Sequence, residues 1–276
     1  MPRIDAHQHF WTYEPIRDNW IDSTMQILAK NYLPMHLGSI LIENNFTGTV
    51  TIQSNSSEAE NNFQLKNASE HAFILGIVGW VDFMKVNIGD RLDYYSEFDK
   101  IKGFRHILQN EAQRNFMLNS KFMQGIGLLE RYDLTYDILI LPDQLQYIPK
   151  FVSAFPNQRF VIDHLAKPDI KNQAINEWKR DILKLSEFEN LSCKISGMVT
   201  EASLNLWQHY DFVPYLDVIV SCFGIDRILF GSDWPVSNLS ATYSQVLKIV
   251  ETYFNSFSSS EKEKIFNLNA AKFYKL

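Results

Sequence analysis

The sequence predicts a single (β/α)8 barrel of the TIM type, and two observations favour this fold. Eight short runs rich in apolar and β-branched residues follow one another along the 276-residue chain, and each has the composition of a buried strand. Successive runs begin mostly about 25 to 35 residues apart, which is the length of a strand plus a crossover helix. The chain length is ordinary for one barrel. We therefore expect one α/β domain over residues 1–276.

Several of the strand runs are apolar on consecutive positions, as in the segment that begins at Phe73 and ends at Val78. Parallel strands are covered on both faces, so they are near-continuous in hydrophobicity rather than alternating. The predicted strands, in chain order, cover residues 3–9, 47–53, 73–81, 101–107, 133–141, 159–164, 191–196 and 227–231.

Helical patterns lie between these runs. Ser57 and Glu60 have the spacing of a capping box, as have Ser260 and Glu263, and a capping box opens a helix. Residues 142–155 carry apolar side chains at the helical period. Each helix would return the chain to the start of the next parallel strand.

The first connection, residues 10–46, is much longer than the others. It contains four aromatic residues, Trp11, Tyr13, Trp20 and Tyr32, which favour a packed segment over a disordered one. We expect short helices near residues 25–30 and 34–45. Long loops at the carboxyl ends of barrel strands often cover a site, so this segment is predicted to be lid-like.

Composition excludes several classes of function. The net charge of −6 argues against nonspecific binding to nucleic acid or anionic membrane. No apolar run is long enough to span a bilayer, and the chain enters its first strand without a signal-peptide pattern. Cys193 and Cys222 are expected to be free buried thiols. We expect a soluble cytoplasmic enzyme with a small-molecule substrate, either a monomer or a homodimer.

Polar residues end the first and last runs. His7 and His9 lie two residues apart on one strand, so their side chains point the same way. Asp233 follows the last run, and barrel closure would bring it to the two histidines. Such a group can bind a metal, polarise a carbonyl or move a proton.

The other strand ends are equally polar. The active site of this fold lies at the carboxyl ends of its strands. A structural sheet edge does not need so many converging charges, so the pattern favours an enzyme. The candidates at or beside these ends are Trp11, Gln53, Trp80, Asp82, Arg105, His106, Tyr136, Asp137, Asp163, His164, Lys194, Ser196 and Trp234.

These motifs together resemble the amidohydrolase superfamily. More narrowly they resemble its sugar lactonases, of the L-fuconolactonase and L-rhamnonolactonase type, which are related to a 2-pyrone-4,6-dicarboxylate lactonase. The matching stretches are residues 5–11, 76–82, 102–106, 163–168, 193–201 and 230–236.

The resemblance implies roles for these residues. Asp233 would activate water as general base and then protonate the leaving oxygen, while His7, His9 and His164 would donate to the carbonyl oxygen. Ser232 lacks the Gly-x-Ser-x-Gly context of a nucleophile. The substrate contacts implied are Arg105, Lys194, Trp80, Gln53, His106, Trp11 and Trp234.

The sequence departs from metal-dependent members of the superfamily. Its fifth run has no histidine, and its fourth run carries Arg105 and His106 where a bridging group would stand. A binuclear centre is therefore not expected. One divalent cation, Zn or Mn, would have His7, His9 and Asp233 as ligands and need a further one. We expect chemistry that does not require a metal.

The favoured function is hydrolysis of a neutral sugar lactone. The alternatives within the superfamily are a metal-dependent decarboxylase and a dicarboxylate (pyrone) lactonase. A noncatalytic sugar-binding barrel is the alternative from another class. The particular lactone and its ring size are left open at this point.

Overall fold

Eight parallel strands form one sheet in the order of the chain, as predicted. The structure is a computed structural model that describes residues 2–276. Every predicted run contains one strand, and most strands are shorter than the run that predicted them. The strands are β1 (Ile4–Gln8), β2 (Gly48–Ile52), β3 (Ile74–Gly79), β4 (Ile101–His106), β5 (Thr135–Ile138), β6 (Phe160–Ile162), β7 (Leu191–Ile195) and β8 (Ile228–Phe230).

The barrel closes between β1 and the segment that follows β8. The amide of Asp233 donates to the carbonyl of His7 at 2.8 Å, and the amide of His9 donates to the carbonyl of Trp234 at 2.8 Å. The polar ends of the first and last strands are therefore adjacent, which confirms the (β/α)8 prediction.

Helices connect successive strands, and further helices follow the last strand. Their bounds are α1 (Pro34–Glu43), α2 (Glu58–Glu70), α3 (Ile88–Ser96), α4 (Ser120–Ile126), α5 (Ile148–Ser153), α6 (Ile175–Leu183), α7 (Met198–Glu201), α8 (His209–Phe223), α9 (Tyr243–Tyr253), α10 (Ser259–Glu263) and α11 (Asn269–Tyr274). None of the helices within residues 2–276 is long and apolar enough to cross a membrane.

Two of the predicted helix starts need correction. Helix α2 follows Ser57 as expected, but the Ser57 side chain makes no capping bond. Glu60 accepts from the amide and hydroxyl of Ser54 rather than from the amide of Ser57. The second capping box is formed by Ser258 and Glu261, two residues earlier than predicted. Within residues 10–46, a 3₁₀ helix (Ser23–Leu28) and α1 occupy the expected places; a lid role for this segment stays a prediction.

The C-terminal helix closes the amino-terminal end of the barrel. Tyr274 and Phe273 of α11 pack against interior residues of the strands, such as Ala6, Val161 and Leu229. The carbonyl of Phe273 accepts from the Arg159 guanidinium just before β6, which locates the helix at the strand starts. The polar residues of the site lie at the opposite end of the barrel.

An irregularity in β1 sets the direction of its side chains. The pairing of β1 with β2 shifts register between Asp5 and Gln8, as in a β-bulge, which re-aims side chains. Ala6 lies in the interior cluster. Asp5 instead turns to the closing segment, where its Oδ1 accepts from the amides of His7 at 3.1 Å and Ser232 at 2.9 Å. Asp5 thus holds the bulge and the barrel closure together.

Replacing Asp5 with alanine should destabilise the protein by roughly 2 to 4 kcal/mol, because two buried amides lose their acceptor and each costs about 1–3 kcal/mol. Asp5→Asn keeps a carbonyl oxygen and should cost about 1 kcal/mol. Chemical denaturation measures both free energies of unfolding. Equal losses for the two variants would contradict the role of this acceptor.

Candidate active site

Three histidines surround one carboxylate at the carboxyl end of the barrel. The Oδ1 atom of Asp233 lies 3.4 Å from Nε2 of His9, 3.8 Å from Nε2 of His7 and 3.9 Å from Nε2 of His164. All four residues are buried, and His7 is fully so. The structure therefore brings together the four residues that the sequence assigned to catalysis.

The backbone at two of these residues is strained. Asp233 has a φ of 56°, and the run from His164 to Lys167 has φ values between 51° and 57°. Left-handed backbone costs roughly 1–2 kcal/mol per residue for side chains other than glycine. Such strain persists where surrounding structure enforces it and is frequent at functional sites.

Two glycines make room for the histidines. A Cβ atom on Gly197 would lie 2.5 Å from Nδ1 of His164, and Gly197 itself has a φ of 61°. A Cβ atom on Gly231 would lie 2.5 Å from Cβ of His7. Both positions therefore require glycine for the rings to sit where they do.

Burial and charge set the protonation of the central groups. Burial alone would raise the pKa of Asp233, but its histidine neighbours outweigh burial and hold the pKa below its usual value. Burial lowers the pKa of His164 to about 4, and burial also lowers the pKa of His7 well below the usual range. At neutral pH the site therefore holds an ionised carboxylate beside neutral His7 and His164.

Hydrogen bonds fix the orientation of the rings. Nδ1 of His9 lies 2.9 Å from the carbonyl oxygen of Ile52. A carbonyl only accepts, so Nδ1 carries the hydrogen and Nε2 presents a lone pair. Nδ1 of His164 lies 2.8 Å from the hydroxyl of Ser196, which leaves Nε2 of His164 directed at Asp233.

A buried charge network lies below the histidines. Asp163 contacts Lys194 at 3.0 Å, Arg105 at 3.0 Å and Nδ1 of His7 at 3.2 Å. Lys194 also donates to Asp137 at 2.5 Å. Burial would raise the pKa of Asp163, yet the cations beside it, Lys194 foremost, hold it well below its usual value. Two anions and two cations thus balance one another inside the barrel.

Tyr274 completes the network from the floor of the barrel. Its hydroxyl donates to Oδ2 of Asp137 at 2.8 Å, and its ring lies 5.5 Å from Nζ of Lys194. Burial raises the pKa of Asp137 to about 6, above its usual value, despite Lys194. The C-terminal helix is therefore bonded to the same network that contacts His7.

Three of the predicted substrate contacts, Gln53, Trp80 and Arg105, belong to neighbouring strands or to the residues just after them. Arg105 donates to the side-chain and backbone oxygens of Gln53 at 3.1 and 2.5 Å. Trp80 is half-buried, and its backbone is held by both ends of the Asn61 amide. These three side chains are at or next to the ends of β2, β3 and β4.

Three other predicted contacts face elsewhere. Trp11 and Trp234 both pack on the ring of Tyr32 and are buried in the core beneath the first connection. His106 stacks on Phe116 and binds Glu111 at 2.7 Å. The structure therefore does not place these three side chains with the histidines, and their role in substrate binding stays a prediction.

The role of Lys194 also changes in light of its position. It is fully buried, and its Nζ is occupied by contacts with Asp137, Asp163 and Nδ1 of His7. Asp137 and Asp163 were visible in the sequence as strand-end residues, but Tyr274 carried no signal, since nothing in a C-terminal helix pattern says that it enters a barrel. Ser196 was identified in the sequence as a residue at the end of a strand, but no hydrogen-bond partner for it was evident there.

The donor atoms fit one divalent cation. Tetrahedral zinc holds ligands at about 2.0–2.1 Å, so ligand atoms lie about 3.4 Å apart. Nε2 of His7 and Nε2 of His9 are separated by 3.2 Å, and their distances to Asp233 are close to the same value. The ligand atoms of His7, His164 and Asp233 also lie within 4.8 Å of one another. His164 is thus available as the fourth protein ligand.

The low pKa of His164 should be visible in protein stability. The unfolded chain takes up a proton near pH 6.5 and the folded chain only near pH 4, so the free energy of unfolding should fall as the pH drops between these values. In His164→Gln this fall should be shallower. Denaturation at a series of pH values measures the difference. Identical curves would mean that His164 keeps an ordinary pKa.

Known proteins resemble this chain along its whole length. An L-fucono-1,5-lactonase of Burkholderia multivorans is 33% identical, with 99% of this chain and 96% of the relative covered. An L-fucono-1,5-lactonase of Burkholderia ambifaria is 30% identical over the same shares. A crystal structure of an amidohydrolase from Burkholderia multivorans with bound zinc is 33% identical, has a TM-score of 0.96 and is covered completely, as is this chain.

The family match has the same extent. Residues 4–276 match the amidohydrolase family. This match includes every strand of the barrel, Asp233 and the three histidines around it. This chain belongs to the amidohydrolase family.

Proposed function

We propose that this protein hydrolyses the lactone ring of a neutral sugar acid, an aldonolactone such as an L-fucono- or L-rhamnono-lactone. The observation that carries the proposal is the ionised carboxylate of Asp233 among three imidazoles at the end of the barrel. The names of the two full-length Burkholderia relatives support the same reaction.

Asp233 is the general base. Water attacks the lactone carbonyl as its proton passes to the carboxylate, and the same proton then passes to the ring oxygen as the carbon–oxygen bond breaks. The lowered pKa of Asp233 keeps it ionised before attack. It also makes the protonated form a strong acid toward the departing alkoxide.

The imidazoles stabilise the oxyanion unequally. When Ser196 donates to Nδ1 of His164, Nε2 of His164 carries the hydrogen and donates to the oxyanion. A donor placed where negative charge develops lowers the activation free energy of the reaction. Nε2 of His9 carries a lone pair, since its Nδ1 hydrogen is used by Ile52. His9 therefore orients the water or His7 rather than the carbonyl oxygen.

The arginines favour a neutral substrate over a dicarboxylate. Arg105 is paired with Asp163, Arg17 with Asp18 at 2.7 Å, and Arg114 with Asp143 at 2.6 Å. A carboxylate clamp needs guanidinium groups that are free to form bidentate bonds. The half-buried ring of Trp80 instead suits the C–H face of a sugar.

The site has donor atoms for a divalent ion, but the proposed reaction does not require one. Held by His7, His9 and Asp233, it would polarise the lactone carbonyl as a Lewis acid. An ester opens more easily than an amide, and Asp233 and His164 supply base, acid and oxyanion donor without it.

We also expect, from the sequence alone, a cytoplasmic protein that is a monomer or a homodimer.

Replacing Asp233 with asparagine should lower kcat about 100- to 10,000-fold, the usual value of a general base. The fold should persist, because the amide keeps the shape of the carboxylate. His164→Asn should cost less, since a second histidine donor remains. Steady-state kinetics on an aldonolactone measures both. Near-normal turnover by folded Asp233→Asn would transfer the base role to a histidine.

The substrate class is tested with a pH-indicator screen of lactones, run with and without a chelator. Neutral aldonolactones should have a higher kcat/KM than 2-pyrone-4,6-dicarboxylate, and extensively chelated protein should keep most of its activity. Preference for the dicarboxylate would contradict the substrate class. Activity that disappears on chelation and returns with zinc or manganese would show that the metal is required.

A further inference from the structure

Lys194 is the one lysine buried beneath the histidines in the described part of the chain, and its contacts are directional. Nζ donates to Oδ2 of Asp137 at 2.5 Å and lies 3.2 Å from Nδ1 of His7 in hydrogen-bond geometry. An ammonium group only donates. The contact is therefore favourable only when Nδ1 of His7 is the acceptor and the ring hydrogen is on Nε2.

The carboxylate that competes for this nitrogen does not have the geometry to accept from it. Oδ1 of Asp163 lies 3.2 Å from Nδ1 of His7. That oxygen also lies 3.0 Å from Nζ of Lys194, and within residues 2–276 neither contact has the alignment of a hydrogen bond. A hydrogen on Nδ1 would instead be directed toward the ammonium of Lys194.

The other side of the ring leads to the same assignment. Nε2 of His7 lies 3.2 Å from Nε2 of His9, and the latter presents a lone pair because its Nδ1 hydrogen is bonded to Ile52. Two lone pairs at this distance repel, so Nε2 of His7 must donate. The arrangement forms one chain from Lys194 through His7 and His9 to a backbone carbonyl.

One contact opposes this assignment and is weaker. Nη1 of Arg105 lies 3.5 Å from Nε2 of His7, at the limit of hydrogen bonding. The same nitrogen already donates to Oδ2 of Asp163 at 3.0 Å. Two contacts of 3.2 Å therefore outweigh one of 3.5 Å.

We propose that Lys194, held by Asp137 and Tyr274, fixes the hydrogen of His7 on Nε2. In the resting protein this hydrogen faces Nε2 of His9. A lactone oxygen that developed negative charge in the site would replace His9 as the acceptor, and that catalytic consequence rests on the proposed function. Lys194 is a positioning residue, not a substrate contact. The tautomer itself is a property of the resting protein and does not depend on which reaction it catalyses.

The same tautomer opposes metal binding. A metal ligand must present a lone pair, so binding an ion through Nε2 of His7 would move the hydrogen to Nδ1, where it meets the ammonium of Lys194. The donor atoms fit a divalent ion in position, but Lys194 biases one of them against it. The contact with Lys194 thus disfavours binding of an ion through Nε2 of His7.

Nitrogen NMR of metal-free protein labelled at the histidine ring tests the tautomer directly. His7→Gln identifies the two His7 signals by their loss. In the wild-type protein Nδ1 of His7 should have the shift of an unprotonated nitrogen, and Nε2 that of a protonated one. The reverse pattern would overturn the proposal, whether or not the protein opens lactones.

Zinc affinity tests the consequence. Lys194→Met with Asp137→Asn removes a cation and an anion together, so the buried network keeps its charge balance. Competition with a chromophoric chelator should show zinc binding at least tenfold tighter than in wild type. Lys102→Met, which changes a partly exposed lysine at the start of β4, is the matched control and should leave affinity unchanged.

Unchanged or weaker zinc affinity in the folded double variant would contradict the proposed bias. If the double variant does not fold, the NMR assignment in the wild-type protein decides the proposal. Tyr274→Phe removes only the hydroxyl that holds Asp137 and should shift zinc affinity in the same direction by less. Loss of lactonase activity without any change in tautomer or zinc affinity would assign Lys194 a purely structural role.

Discussion

The site depends on the closure of the barrel between β1 and the segment after β8. Two backbone hydrogen bonds, from Asp233 to His7 and from His9 to Trp234, place the catalytic candidates from opposite ends of the chain side by side. Asp5 reinforces this closure by binding amides on both sides of it. Because backbone atoms make the bonds, the separation of the functional side chains is set by the sheet itself rather than by flexible loops.

The barrel interior is divided into two layers of different chemistry. Toward the strand starts, apolar side chains and the C-terminal helix form a plug around Tyr274. Above it, Asp137, Asp163, Lys194 and Arg105 form a charge-balanced network. Buried charges are tolerated only when they are paired and hydrogen-bonded. Pairing them here also orients His7, so the stability of the interior and the orientation of a catalytic candidate have the same physical basis.

Strain and close packing hold the remaining groups. Left-handed backbone at His164 and Asp233, and glycines where any side chain would strike a histidine, leave the rings little freedom. A preorganised set of donors does not have to reorganise as charge develops, which is why such arrangements accelerate reactions. The same rigidity keeps three imidazoles and one carboxylate together in a small volume.

The sequence by itself determined the fold and the residues around Asp233. Eight apolar runs with polar ends indicate a parallel barrel, and strand ends in that fold meet at one mouth. His7, His9, His164, Arg105 and Asp233 were therefore among the candidates, and the resemblance to a family singled out the histidines and Asp233 among them. Only the tertiary structure decided the direction of each side chain. In the structure Trp11 and Trp234 pack in the core, and Lys194 lies beneath His7. Tyr274, from the C-terminal helix, binds Asp137 inside the barrel. Local patterns specify elements and their ends. Which atoms then contact one another depends on register, bulges and packing between segments far apart in the chain, and no local pattern contains that information.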